Sequence, residues 1–129
     1  MSTPTTTVQE FMEAFMAAWP EGDAAKVASF FSENAVYHNG PMEPVKGRDA
    51  IQVALAGFMC MGGRVDVDII HIVAEGAIVM TERVDHVIGT EKTISLPIMG
   101  VFEVHDGAIT AWRDYFDPSQ FTTQMSDGG

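Results

Sequence analysis

From residue 64 onward the chain reads as four stretches rich in β-branched and aromatic residues: "RVDVDIIHIV", "AIVMTERVDHVI", "KTISLPIMGVFEV" and "AITAWRDYFD". Only "AEG", "GTE" and "HDG" separate them. Strand-forming runs joined by such short turn signals have room for hairpins and for little else, so this half is expected to be a four-stranded antiparallel meander. The preceding half has a helical period instead. Val8, Phe11, Met12, Phe15, Met16 and Trp19 fall on one helical face, with Thr7 and Glu10 at capping-box spacing and Pro20 and Gly22 as the stop. Asp23 is expected to cap a shorter helix that carries Val27, Phe30 and Phe31 and ends near Ser32 to Asn34. "AVYHNG" reads as a short strand, "PMEPVKG" as a loop, and Arg48 to about Phe58 as a third helix with Ile51, Ala54, Leu55 and Phe58 inward. Gly62 and Gly63 break the chain before the meander.

Helices grouped first and strands grouped after imply an α+β fold in which helices cover one face of a curved sheet. A chain of 129 residues with 47% hydrophobic content suits one domain spanning 1–129, with an ordered core from about 7 to 121 and a disordered tail "MSDGG". The formal charge of −11 repels phosphate backbones and anionic membrane surfaces, which argues against nucleic acid and membrane partners. No apolar run approaches the roughly 20 residues of a bilayer span. The single Cys60 cannot form an internal disulfide, and the N-terminus lacks the pattern of a secretory signal, so a cytoplasmic location is expected. Nine methionines suit either an ordinary core or a pliable apolar cavity.

Strand parity singles out the candidate site. In "TAWRDYFD" Trp112, Asp114 and Phe116 share one face, while Arg113 and Tyr115 share the other. In "AIVMTERVDHVI" Val79, Thr81, Arg83, Asp85 and Val87 lie together, and Tyr37 and Asn39 share a side in "AVYHN". If these faces line the interior, two carboxylates, a guanidinium, a phenol and an amide meet there. A buried carboxylate must be paired, hydrogen-bonded or protonated, and one guanidinium between two carboxylates neutralises only one of them. The second is then pressed to keep its proton, giving an acid and a base in one site. Periodicity alone leaves a plainer alternative open, in which Arg83 and Asp85 form a solvated cross-strand pair and Asp114 merely ends a strand.

"YHN", "GRDAI", "TERVD", "IMGVFEV" and "DGAITAWRDYFD", in this order from about Val8 to Phe121, resemble the limonene-1,2-epoxide hydrolase family of the NTF2-like, SnoaL-like cone-shaped folds. The resemblance implies a mixed or antiparallel curved sheet and a one-step hydrolysis of an apolar cyclic epoxide to a vicinal diol, without a covalent intermediate. By the same resemblance Asp114 is the general base, Asp85 the general acid and Arg83 the bridge, while Tyr37 and Asn39 position the water. No metal and no organic cofactor is implied. A homodimer formed through the sheet's outer face is expected from the family. The visible departure is an N-terminus shorter than in the best-known members, which bears on pocket closure and oligomer packing. An isomerase or cyclase of the ketosteroid isomerase or polyketide cyclase type, or a binder of apolar ligands without chemistry, fits the same fold.

Four further expectations concern polar residues outside this set. His38, His71, His86 and His105 lack metal-site spacing. Cys60 is expected to be buried. Arg113 is expected in surface pairing or a subunit contact. Asp117 is expected in the same role.

Overall fold

The computed structural model describes residues 3–126. Helix α1 runs over Pro4–Ala18, followed by a short 3-10 turn at Trp19–Glu21 and helix α2 at Ala24–Ala28. Strand β1 spans Phe31–Asn39, β2 Val45–Lys46, and helix α3 Arg48–Met59. The meander follows as β3 Arg64–Glu75, β4 Ile78–Ile88, β5 Thr93–His105 and β6 Ala108–Tyr115, and helix α4 covers Pro118–Ser126. The sheet order is β2-β1-β6-β5-β4-β3. Every pairing in the meander is antiparallel, as the turn signals require, while β1 lies parallel to β6 and makes the sheet mixed. Among the described residues no helix is long and apolar enough to cross a membrane.

Several local expectations are corrected. Thr7 is buried inside α1, and the cap is Thr3, whose side chain accepts from the Thr6 amide with Pro4 in the first turn. The reason is steric economy: proline at the first helical position carries no N–H that the helix would leave unpaired. Asp23 does cap α2, but that helix ends at Ala28 and Phe31 already opens β1. Phe31 and Ala35 are buried, whereas Glu33 and Asn34 are exposed, so tertiary packing rather than helical periodicity decides this segment. The "PMEPVKG" loop contains the two residues of β2, paired to β1 at Val36 and Tyr37. At the far end Met125 and Ser126 are helical rather than disordered, and 127–129 lie outside the described residues.

The core sits between α1, α3 and the inner face of the sheet, with Phe11, Leu55, Val79, Phe102, Ile109 and Trp112 at its centre. Trp112 is the hub. Its ring stacks on Tyr37 at 4.3 Å and on Phe102 at 5.5 Å, and Phe11 meets it edge-on at 5.1 Å. Aromatic pairs of this kind contribute about 0.5–1.5 kcal/mol each beyond their area burial, which fixes the orientation of the indole.

Candidate active site

The inner faces that parity grouped do line the interior. Val79, Thr81 and Arg83 are buried along β4, with Asp85 half-buried, and Trp112 and Asp114 are buried along β6. Register then joins them across strands. Thr81 of β4 pairs with Gly100 of β5, Gly100 with Asp114 of β6, and Asp114 with Asn39 of β1. Tyr37 pairs with Trp112 two residues back along the same strands. The parallel β1–β6 contact, two sequence-distant strands brought side by side, is what places the phenol and the amide beside the carboxylate.

Arg83 is 1% exposed, and its guanidinium reaches both acids. Nε donates to Asp85 Oδ1 at 2.9 Å and Nη2 to Asp85 Oδ2 at 3.3 Å, a forked pair, while Nη2 also donates to Asp114 Oδ2 at 2.6 Å. Nη1 donates to Thr81 Oγ1 at 3.1 Å. The remaining oxygen of Asp114, Oδ1, accepts from Trp112 Nε1 at 2.7 Å. Among the described residues no buried side-chain nitrogen or oxygen lacks a hydrogen-bond partner, which is the condition for keeping such charges inside.

Burial raises the Asp85 carboxyl above its ordinary value of 3.8; the attraction of Arg83 opposes this, and the neighbouring Asp114 charge adds to it. Burial would lower the Arg83 guanidinium, but the two carboxylates outweigh it and hold it charged more firmly than in water. Tyr37 is pushed well above the usual phenol value, first by burial and then by Asp114, so it remains a hydrogen-bond donor.

These groups form the polar floor of a cavity of about 350 Å³. Its walls are mostly apolar: Trp19, Phe58, Val87, Ile94, Leu96 and Phe116 among them. Met42 and Met61 also line it, whereas Met12 and Met59 fill the core, so the methionines serve both purposes. Tyr37, Asn39, Asp85 and Asp114 all face this space, while Arg83 lies behind the carboxylates.

Three neighbours complete the arrangement. Thr81 holds the third guanidinium nitrogen, Trp112 donates to Asp114 as well as shielding it, and Gly100 leaves the space through which Arg83 passes. Thr81 and Trp112 lie two residues from Arg83 and Asp114 on the same strand faces, whereas only cross-strand register identifies Gly100. Helix α4 was signalled locally, since Asp117 followed by Pro118 is a cap-and-first-turn pattern. Asp117 Oδ1 accepts from the Ser119 amide at 2.9 Å and its hydroxyl at 2.7 Å, which lowers the Asp117 carboxyl, so its role is that of a helix cap rather than surface pairing. Arg113 does pair at the surface, donating to Glu103 at 2.6 Å. Cys60 is exposed, contrary to expectation, because it follows the last turn of α3. His71 faces Glu82 at 2.8 Å and His86 faces Ser95 Oγ at 2.7 Å.

An α+β cone with helices on one face of a curved sheet and a polar-floored cavity inside is the NTF2-like architecture. A hypothetical protein with a ketosteroid isomerase-like fold from Catenulispora acidiphila shares it, at 22% identity over 89% of this chain and 91% of that one, with a TM-score of 0.76. The chain belongs to the limonene-1,2-epoxide hydrolase family, whose catalytic-domain description matches residues 3–126. It is 39% identical over 108 residues to the epoxide hydrolase EphG of Mycobacterium tuberculosis, covering 82% of this chain and 70% of that protein. The solved structure of an LEH-like epoxide hydrolase from M. tuberculosis is 36% identical, with a TM-score of 0.73 over 95% of this chain and 92% of that one.

Proposed function

We propose that the protein hydrolyses apolar cyclic epoxides, of the limonene oxide class, to vicinal diols by a one-step acid–base route. The observation that carries this reading is the single guanidinium of Arg83 bonded to both Asp85 and Asp114 at the floor of an apolar cavity. Family membership supports it.

Opening an epoxide requires a proton for the ring oxygen as the C–O bond breaks and an oxygen nucleophile at the opposite side of the carbon. Asp85 is the donor: burial favours its protonated form and it borders the cavity. Asp114 is the base. Its two oxygens are fixed by Arg83 and Trp112, and each keeps a lone-pair direction for water. Tyr37 and Asn39, beside Asp114 at the cavity wall, orient that water. As water attacks, a C–O bond forms, the ring C–O bond breaks, Asp114 takes a proton from the water, and Asp85 gives one to the ring oxygen. Return of one proton from Asp114 to Asp85 resets the site. Arg83 stays charged throughout and holds the spacing.

The deciding experiment is a single turnover of a cyclic apolar epoxide in heavy-oxygen water. Direct attack puts the label into the diol in that first turnover. Unlabelled diol would mean that a carboxylate had attacked and formed an ester.

The assembly state follows a separate observation. Met80, Met99 and Tyr115 are exposed on the sheet face opposite the helices, and Ile70 and Val84 adjoin them in a shallow hollow. An apolar patch on a sheet face supports pairing with a second copy. Tyr115→Asp should then halve the mass seen by sedimentation; an unchanged mass would remove this interface from consideration.

A further inference from the structure

Helix α4 forms one wall of the cavity yet has no buried residue of its own. Pro118, Phe121 and Thr122 face the cavity. What fixes the helix is largely one side chain. Gln124 Oε1 accepts from the Ser95 backbone N–H at 2.7 Å, and Gln124 Nε2 donates to the Ser95 carbonyl at 2.8 Å. These are the two bonds that a neighbouring strand would make.

Ser95 is free to make them because β6 pairs with β5 only from Met99 onward. Pro97, two residues along the same edge, has no N–H to offer a strand. The carboxamide of Gln124 therefore stands in for a missing peptide group and closes an open sheet edge. Lys92 Nζ donates to the Met125 carbonyl at the helix end and adds a second, more exposed tether. At the other end α4 is anchored by the Asp117 cap next to Phe116, itself a wall residue. A helix without buried side chains, held by few polar contacts, belongs to the low-stability end of a fold.

We propose that Gln124 is a specificity-determining positioning residue: by clamping α4 to the β5 edge it sets where Phe121 and Thr122 stand, and hence how large a ring the cavity accepts. This rests on the reading of the cavity as the epoxide site. It assigns no chemistry to Gln124, which touches no reacting atom; the clamp acts on the wall alone. Loosening it enlarges the accessible space on the α4 side and leaves Asp85, Arg83 and Asp114 on their strands.

The test compares the full-length wild type with Gln124→Ala and Gln124→Glu. The glutamate keeps an acceptor for the Ser95 N–H but sets an oxygen against the Ser95 carbonyl. Two inert cyclic alcohols, cyclohexanol and a bulky bicyclic alcohol, are titrated by the fluorescence of Trp19 and Trp112, which line the cavity. The expected result is a shift of roughly tenfold toward the bulkier alcohol in Gln124→Ala, a smaller shift in Gln124→Glu, and roughly tenfold faster amide exchange confined to α4, on the scale of losing one to two hydrogen bonds. With epoxides of matching sizes, KM should change in the same order and kcat for the smaller one should stay within about twofold. An unchanged size ratio in both variants overturns the proposal even if epoxides are hydrolysed. A shifted ratio in a protein that opens no epoxide supports the clamp and removes the assigned activity instead.

Discussion

Gly100 stands where no other residue fits beside Arg83: a Cβ on Gly100 would lie 2.3 Å from Arg83 Nη1, and also 2.7 Å from Asp114 Oδ1 and 2.9 Å from Thr81 Oγ1. Its φ is not in the left-handed region, so the demand is for space and not for backbone freedom. Gly100 sits between Thr81 and Asp114 in the sheet, and the guanidinium crosses the gap its missing side chain leaves. Gly100→Ala should therefore cost about 1–3 kcal/mol, the range for overpacking a filled interior. It should also lower kcat at least tenfold by prising Arg83 from Asp114. Chemical denaturation and steady-state kinetics check the two effects, and an alanine variant of wild-type stability and rate would show that the row tolerates a methyl group.

Burial favours the protonated form of Asp85, which sets how this acid responds to pH. In the unfolded chain Asp85 releases its proton near the ordinary 3.8, while in the folded chain it does so only at higher pH. Between those points the folded state binds more protons, so this residue's contribution to stability is largest at low pH and declines as pH rises through the folded value. The difference in stability between wild type and Asp85→Asn should shift in that direction over the mildly acidic range. In turnover the same titration removes the proton donor, so activity should fall on the alkaline side. Asp85→Asn should lose at least about a hundredfold in kcat with an unchanged folded spectrum. A fully active Asp85→Asn would exclude it as the acid.

Removing the bridge tests the electrostatic account. Arg83→Met leaves Asp85 and Asp114 facing each other without a cation in a buried site, and breaking a buried ion pair on one side costs about 3–5 kcal/mol. The variant should recover stability as the pH is lowered and the carboxyls take up protons, opposite to the usual acid denaturation. Thermal melts from neutral to acidic pH would show this. A melting temperature that falls with pH as in the wild type would mean that the acids find other partners.

How far this arrangement could be read from the chain depends on the period of the signal. Alternation along β4 put Arg83 and Asp85 on one face, and alternation along β6 put Trp112 and Asp114 on one face, because period 2 is local. The inner side was not legible from β4 alone, since Met80 and Val84 are as apolar as Val79 and Val87; the helices packed against the sheet decide it. Alternation also put Thr81 on the Arg83 face, but Gly100 was invisible as a site residue because its role exists only between strands. Phe30 and Phe31 suited a helix as well as a strand, and the parallel pairing of β1 to β6 settles the segment at a distance. Thr7 has capping-box spacing to Glu10, yet Thr3 caps the helix, and Pro4 at the first helical position marks that start. Helix α4 has so weak an apolar stripe that composition could not separate it from a tail, although its Asp-Pro start was a usable mark.

Trp112 provides a test that separates shielding from positioning. Trp112→Phe keeps an aromatic ring against Tyr37 and Phe102 but removes the Nε1–H that Asp114 Oδ1 accepts. If the indole only excludes water, the phenylalanine variant should behave nearly as wild type. If it also holds the Asp114 carboxylate against the attacking water, Oδ1 loses its donor and can rotate, so kcat should fall about tenfold to a hundredfold while KM, set by the apolar walls, stays within about threefold. Leaving a buried carboxylate oxygen without that donor should also cost about 1–3 kcal/mol of stability. Tyr37→Phe is the matched comparison, because it removes a polar atom from the cavity wall while keeping the stack on Trp112. It should lower kcat through the water without the stability loss, and equal destabilisation by the two variants would assign both effects to packing.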